Sequence, residues 1–315
     1  MRSHLLGRSE LSVSLVGLGC NNFGGRLDVD ATKAVVDAAL DVGVTFFDTA
    51  DIYGNRGGSE EALGEVLAGR RDQVVLATKW GHSDVDMGYG AELGAKGGRT
   101  YIRHAIDASL RRLRTDHVDL FQLHTPDPET PIDETLGALD ELVREGKVRY
   151  PGTSQFSGEQ LGEAARIAHE RGFAPFVSAQ NHWSLLEREV EDDVVPAAER
   201  LGLGMLPFFP LANGLLTGKI RRGAAIPEGS RLAGNPDYVT DDKLVRVEQL
   251  AGWAEQHGRT VLDVSIGWLA SHPAIGSVIA GATKPEQVRA NAAAGEWQLT
   301  ADEFAEVDAI SRGGA

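Results

Sequence analysis

Apolar runs of strand length alternate with amphipathic, helix-like segments eight times along a chain of 315 residues, and most of the runs stop at a polar or ionisable side chain. Such alternation predicts a parallel sheet with crossover helices. Eight repeats at this length predict a closed, single-domain (β/α)8 barrel rather than an open, doubly wound sheet. No linker-like stretch divides the sequence, so one domain is expected over residues 1–315.

The opening "MRSHLLGRSELSVSLVGLG" reads as an N-terminal β-hairpin around "GRSE", placed to plug the barrel floor, and not as a barrel strand alone. "DATKAVVDAALDVG" then carries its apolar residues at helical spacing. "VTFFDTA" reads as a strand, and a helix begins near Ser59. "VVLATKW" and "RTYIRHAIDASLRRLRT" form the next pair, separated by a glycine-rich insertion over 81–100 that is long enough to overhang the barrel mouth. "HVDLFQLH", "PIDETLGALDELVREGK", "VRYPGTS", "SGEQLGEAARIAHERG", "FVSAQNH" and a helix around "EDDVVPAAERLG" continue the rhythm. The last third gives "LGMLPFFP", a long connection, two helical stretches across 241–272, "SVIAGAT", "PEQVRANAAAG" and a closing extra helix after Leu299.

With 42% hydrophobic and 24% charged residues, the chain is able to bury a large core. A net charge of −15 and a pI near 5.0 leave no basic field for phosphates, so neither nucleic acid nor an anionic membrane is an expected partner. No apolar run approaches the roughly 20 residues of a membrane span. "MRSHLLGRSE" lacks the hydrophobic core of a secretory signal, and Cys20 is the only cysteine, which excludes an intrachain disulfide and a cysteine-based metal site. A cytoplasmic location is expected. The histidines show no metal-ligand spacing such as H-E-x-x-H, so no metal is expected either. Oligomeric state is not legible in the sequence.

In a barrel, chemistry sits where strands end and βα loops begin. Val44, Phe46 and Asp48 share one face at the strand period of two, which makes Asp48 the last inward position, and Tyr53 follows in the loop. Other strands deliver Lys79, His124, Ser154 with Gln155, and Gln180 to the same rim. Singly, each has a plain structural reading as a turn cap, surface charge or buried histidine. Together, a carboxylate, an ammonium, a phenol and an imidazole form an acid–base set. Lys79 can pair with Asp48, and its charge beside Tyr53 is expected to lower the phenol's pKa below about 10. His124 would then hydrogen-bond a substrate oxygen. A metal-dependent hydrolase using Asp48, Asp51 and His124 is a competing reading of the same rim.

The motifs "LGRSELSVSLVGLG", "FFDTADIYGNRGGSEEALGEVL", "LATKWG", "SLRRLRTDHVDLFQLHTPDP", "EGKVRYPGTSQFS", "SAQNHWSLLERE", "PLANGLLTGK" and "IAGATKPEQVRAN" occur in an order that resembles the aldo-keto reductases over nearly the whole chain. The resemblance implies a catalytic tetrad of Asp48, Tyr53, Lys79 and His124 reducing a small aldehyde or ketone with NADP(H). It also implies that Ser154, Gln155 and Gln180 hold the nicotinamide carboxamide, that Phe208 stacks on the ring, and that Leu211, Gly214 and Lys219 of "LANGLLTGK" cover the pyrophosphate. Gly281, Thr283, Lys284, Gln287 and Asn291 would line the adenosine end. No Rossmann fingerprint competes, because Asn22 stands where the last glycine of G-x-G-x-x-G belongs.

Some positions depart from the family pattern. Gln155 stands where asparagine is customary, Trp183 where tyrosine is common, and Phe208–Phe209 where tyrosine–serine is frequent. Trp80, Trp183 and Phe209 are candidates for an aromatic substrate pocket, with packing on neighbouring helices as the alternative. Cys20 is either redox-active or an inert small hydrophobe. The family's potassium-channel β subunits supply the alternative function, a cofactor-bound redox sensor with little turnover.

Overall fold

The computed structural model describes residues 1–227 and 230–313. Eight parallel strands form one sheet: β3 (Val16–Gly19), β4 (Phe46–Asp48), β5 (Val75–Trp80), β6 (Val118–Leu123), β7 (Val148–Ser154), β8 (Ser178–Gln180), β9 (Gly204–Met205) and β10 (Val278–Gly281). Each pairs with its neighbour in chain order, and β10 returns beside β3. The remaining edges meet through Met205 N–H to Ala274 O (2.8 Å), Gly276 N–H to Met205 O (2.9 Å) and Ile279 N–H to Pro207 O (3.1 Å), which close the barrel.

Helices cover the outside: α1 (Val29–Asp41), α2 (Tyr53–Val66), α3 (Arg99–Leu113), α4 (Ile132–Arg144), α5 (Gly158–Arg171), α6 (Val194–Leu201), α7 (Asp241–Gln256), α8 (Val261–Ala270), α9 (Pro285–Gly295) and α10 (Ala301–Ser311). Their starts are written locally. Ser157 and Gln160 form a reciprocal capping box on α5, and Thr260 with Asp263 and Thr300 with Glu303 do the same for α8 and α10. The eightfold rhythm is therefore irregular late in the chain, where α7 and α8 both precede β10 and α10 follows the last unit.

Alternation along the strands separates two cores. The outer faces, including Phe47, Leu76 and Phe121, pack in the layer beneath the helices. Phe46, Ala77 and Leu120 point inward and meet Leu6, Leu11 and Val13 of the N-terminal hairpin, whose strands β1 (Ser3–Leu5) and β2 (Ser12–Ser14) pair antiparallel. The hairpin does plug the floor. Asp48, Lys79 and Gln122 stand two residues further along the same faces, so the interior turns polar one layer above its apolar plug. Val44 lies before β4 and packs in the outer layer, so the inward face begins at Phe46.

The plug depends on Gly7. Its φ is +57°, and a Cβ there would lie 2.4 Å from Gly202 O, 2.7 Å from Gly204 N and 2.9 Å from Val177 O. Gly7→Ala should therefore cost about 2–5 kcal/mol, combining left-handed strain with overpacking. Gly69→Ala, with φ of +74° and nothing within 4 Å of its Cβ, should cost only about 1–2 kcal/mol. Urea denaturation of the two variants checks this: equal losses would mean that the plug has no close backbone approach at Gly7.

Candidate active site

The ends of β4, β5, β6 and β8 bring the polar set together. Asp48 ends β4, Lys79 is the penultimate residue of β5, Gln122 pairs with Lys79 in register on β6, and Gln180 ends β8. His124 follows β6, with its N–H donating to Trp80 O (2.8 Å). Tyr53 reaches the same place through an unusual backbone. Gly54, Asn55, Arg56 and Gly57 all have positive φ (66°, 62°, 69° and 112°), a left-handed turn between Tyr53 and the regular part of α2. A Cβ on Gly54 would lie 2.5 Å from both Phe23 O and Ser59 N, so only glycine fits directly after the tyrosine.

Lys79 is fully buried and its ammonium has three acceptors for three protons: Asp48 Oδ2 (2.5 Å), Thr49 O (3.1 Å) and Tyr53 Oη (3.5 Å). Burial works against its charge, yet Asp48 and Tyr53 more than restore it and the pKa is raised. Asp48 Oδ1 accepts from Gln122 Nε2 (3.0 Å) and Gln180 Nε2 (3.1 Å). His124 stands edge-on to Tyr53, with ring centroids 5.8 Å apart. Burial, then the nearby Lys79 charge, hold its pKa well below the ordinary value, so the imidazole is neutral at physiological pH.

The phenol departs from the sequence expectation. Lys79 does pull the Tyr53 pKa down, but burial outweighs it and Asp48 opposes it, so the net shift is upward. The side chain is a protonated donor throughout the physiological range.

A cavity of about 580 Å³ opens from Asp48, Tyr53 and Gln180, within the range of small-molecule and cofactor sites. It passes Phe208 and Phe209, then Leu211, Gly214 and Lys219, and ends against Gly281, Thr283, Gln287 and Asn291. Phe208 is backed by the His182 ring, stacked at 5.4 Å.

Residues 15–312 match the Aldo/keto reductase family model. The chain belongs to the aldo/keto reductase family. It is 40% identical to the "Uncharacterized oxidoreductase YrpG" of Bacillus subtilis, covering 90% of this chain and 88% of that one. Identity to the "L-glyceraldehyde 3-phosphate reductase" of Escherichia coli O157:H7 is 34%, covering 98% and 92%. Identity to the "Probable voltage-gated potassium channel subunit beta" of Oryza sativa is 38%, covering 91% and 88%. The family is one of oxidoreductases acting on carbonyls with a nicotinamide cofactor.

In this reductase-family barrel, several named residues stand outside the cavity lining. Trp80 is buried against Phe121 with ring centroids 4.2 Å apart, and its Nε1 donates to Lys96 O (3.0 Å). Trp183 is buried between Trp268 and His272, with Nε1 donating to Glu191 Oε1 (2.9 Å). The structure thus places both in packing layers and leaves Phe209 alone of the three on the cavity. Ser154 is buried at the end of β7, and Lys284 is exposed at the N-cap of α9. Gln155 has φ of +62° and gives its side-chain amide to His124 O (3.1 Å). That left-handed backbone explains why asparagine is customary there, since asparagine tolerates the region best.

Other cavity residues carry little or no signal in the sequence. Arg26 and Arg231 line the cavity, as does Glu286, and the Arg231 guanidinium lies 5.0 Å from the Phe209 ring centre. Arg26 follows the glycine pair in "FGGR", a weak signal, whereas Arg231 lies in the long connection that carries no periodicity. The 81–100 insertion is held by Lys96, whose ammonium donates to the carbonyls of His82 (2.5 Å), Ser83 (2.9 Å) and Val85 (3.0 Å). It brings the His82 ring 4.8 Å from that of His124. Cys20 is buried, its Sγ donates to Leu18 O (3.3 Å), and burial raises its pKa, which makes it an unreactive thiol.

Asp51 does not join the tetrad. Among the described residues, no group of three or more His, Cys, Asp or Glu side chains could hold a metal ion, which disfavours the reading built on Asp48, Asp51 and His124. Asp51 is fully buried and neither carboxyl oxygen meets a hydrogen-bond partner. Burial, followed by the Glu60 charge, pushes its pKa up to about 8. Between about pH 4 and 8 the folded chain therefore holds a proton that the unfolded chain releases, and this group's contribution to stability falls as pH rises through that window. Asp51→Asn removes the titration. It should raise stability relative to wild type by on the order of 1–3 kcal/mol at pH 8 and by much less at pH 5. Melting curves at the two pH values check it, and a gap independent of pH would show that Asp51 is ionised in the folded protein.

Proposed function

We propose that residues 1–315 act as a single barrel domain that reduces a small aldehyde or ketone to an alcohol, with NADP(H) as cofactor and Tyr53 as general acid. The observation that carries this reading is the Lys79 ammonium, which donates to Tyr53 Oη and Asp48 at once. An oxygen that accepts from Lys79 must turn its own O–H elsewhere, and Tyr53 borders the cavity. The phenol therefore offers its proton to an oxygen bound there. As the proton leaves, the tyrosinate that forms is met by the ammonium already in place, which is electrostatic preorganisation. Neutral His124, edge-on to the phenol ring, donates a hydrogen bond that orients the carbonyl oxygen.

The cavity's residues suit the cofactor. Gln180 would meet the carboxamide, with Ser154 and Gln155 behind it at the neighbouring strand end, and Phe208 would cover the ring. Leu211, Gly214 and Lys219 would flank the pyrophosphate, with Arg231 across the same cavity. Gly281, Thr283, Lys284, Gln287 and Asn291 would receive the adenosine end. Bound there, the reduced nicotinamide supplies the hydride for the carbonyl carbon. The expected setting is the cytoplasm, and no helix is long and apolar enough to cross a membrane among the described residues.

Tyr53→Phe should lower kcat for an unactivated aldehyde by on the order of 10²–10⁴ while leaving NADPH affinity within about twofold. Steady-state kinetics and fluorescence titration measure the two quantities. A variant with most of its kcat would remove Tyr53 from the role. The likeness to a probable potassium channel subunit beta favours a second reading, a redox-sensing subunit. Tight NADPH binding with negligible turnover across sugars, aromatic aldehydes, dicarbonyls and quinones would select it.

Cofactor choice should rest on Lys284, the cation beside the adenosine end, with Glu286 on the same stretch opposing an added phosphate. One charge-assisted bond is worth about 1.5–3 kcal/mol, so NADPH should bind about ten- to a hundredfold more tightly than NADH. Lys284→Ala should erase most of that gap. Titration with both cofactors reads it directly, and equal affinities in the wild type would refute the preference.

A further inference from the structure

Gln122 and Gln180 share a task that the tetrad does not describe. Both are buried, and both donate Nε2–H to Asp48 Oδ1, at 3.0 and 3.1 Å. Gln180 Nε2 also donates to Gln122 Oε1 (3.2 Å). An amide nitrogen has two protons, so both N–H bonds of Gln180 are engaged inside the protein. Gln180 borders the cavity, whereas Gln122 does not. A carboxamide oxygen arriving there can accept from Gln180 only if one of those two bonds is released.

The consequence for Asp48 follows from its burial. Its Oδ2 faces Lys79 and its Oδ1 faces the two amides. A buried carboxylate left short of donors loses much of the stabilisation that keeps it ionised and aligned on its partner. With two amides on one oxygen, one can leave without stranding the charge. We infer that Gln122 is a positioning residue, the standing donor to Asp48 that frees Gln180 to turn to the nicotinamide when the cofactor binds. This rests on the reading of the cavity as a nicotinamide site. Amide chemistry suits the task, since a glutamine can donate to a carboxylate at every physiological pH without adding charge to the Lys79–Asp48 pair.

Gln122, which does not line the cavity, would thus control cofactor affinity. NADPH binding is titrated by fluorescence for the wild type, Gln122→Met and Gln122→Glu at pH 6 and pH 8, with melting of the cofactor-free proteins as a check on folding. Gln122→Met keeps the length but donates nothing, so Gln180 becomes the only amide on Oδ1 and the Kd should rise about tenfold or more at both pH values. Gln122→Glu sets a second carboxylate against Asp48 and should bind more weakly still at pH 8. It should recover towards the wild type at pH 6, as the new carboxyl takes up a proton and becomes a donor. A purely structural role would not produce that pH-dependent recovery. In the wild-type complex with NADP⁺, a crystal structure should show Gln180 Nε2 withdrawn from Asp48 and Gln122 Nε2 still within hydrogen-bonding distance of it. Unchanged affinity in Gln122→Met, or Gln180 unmoved in the complex, would overturn the inference. Absence of NADPH binding by the wild type would instead overturn the assignment of the cavity.

Discussion

The buried ion pair between Lys79 and Asp48 is the constraint on which the site depends. Taking both charges out of water is costly, and a pair of this kind is tolerated only when its geometry is good and its remaining hydrogen-bonding capacity is met. Here every proton of the ammonium has an acceptor, and both carboxylate oxygens have donors. Asp48, Lys79 and Gln122 sit on the adjacent strands β4, β5 and β6, Gln180 joins them from β8, and the barrel interior one layer below is apolar and closed by the hairpin. The plug therefore matters to the chemistry. Water reaching the pair from below would weaken the electrostatics that fix the phenol.

The second constraint is the backbone after Tyr53. A left-handed turn including Asn55 and Arg56 is strained for residues with side chains. Its glycine ends make the close approach to Phe23 O and to the Arg112 side chain possible. The turn places the phenol over Lys79, with the neutral His124 ring edge-on to it and the His82 ring of the insertion packed against that of His124. Burial raises the phenol's pKa, and the single ammonium partly offsets it. A donor protonated at rest with its stabilising cation already in contact is the state a general acid needs.

Much of this was legible in the sequence. Period-two alternation ending in Asp48, Lys79, His124 and Gln180 identified the rim, because strand geometry fixes which side chains share a face. The hairpin, the family and the helix near Ser59 were legible for similar local reasons. The illegible parts are those decided by tertiary packing. Nothing local to Trp80 or Trp183 says whether an aromatic after a strand turns to the cavity or to a helix. The sign of the Tyr53 shift depends on how burial compares with one charge, and sequence supplies only the charge. Gln122 reads as one more inward strand residue until Asp48 and Gln180 are seen around it. Arg231 lies in a connection without periodicity, where no pattern predicts which side chain faces the cavity.

The claim that burial raises the Tyr53 phenol while Lys79 offsets it is tested most directly by titrating that phenol. Tyrosine carrying ¹³C at Cζ reports each ring's ionisation by NMR, and Tyr53→Phe assigns the signal. The account predicts that Tyr53 in the cofactor-free protein titrates above about 10, and that Lys79→Met moves it higher still, because the remaining Asp48 charge and burial both oppose tyrosinate. A wild-type midpoint below 10, or one that stays fixed or falls in Lys79→Met, would contradict it.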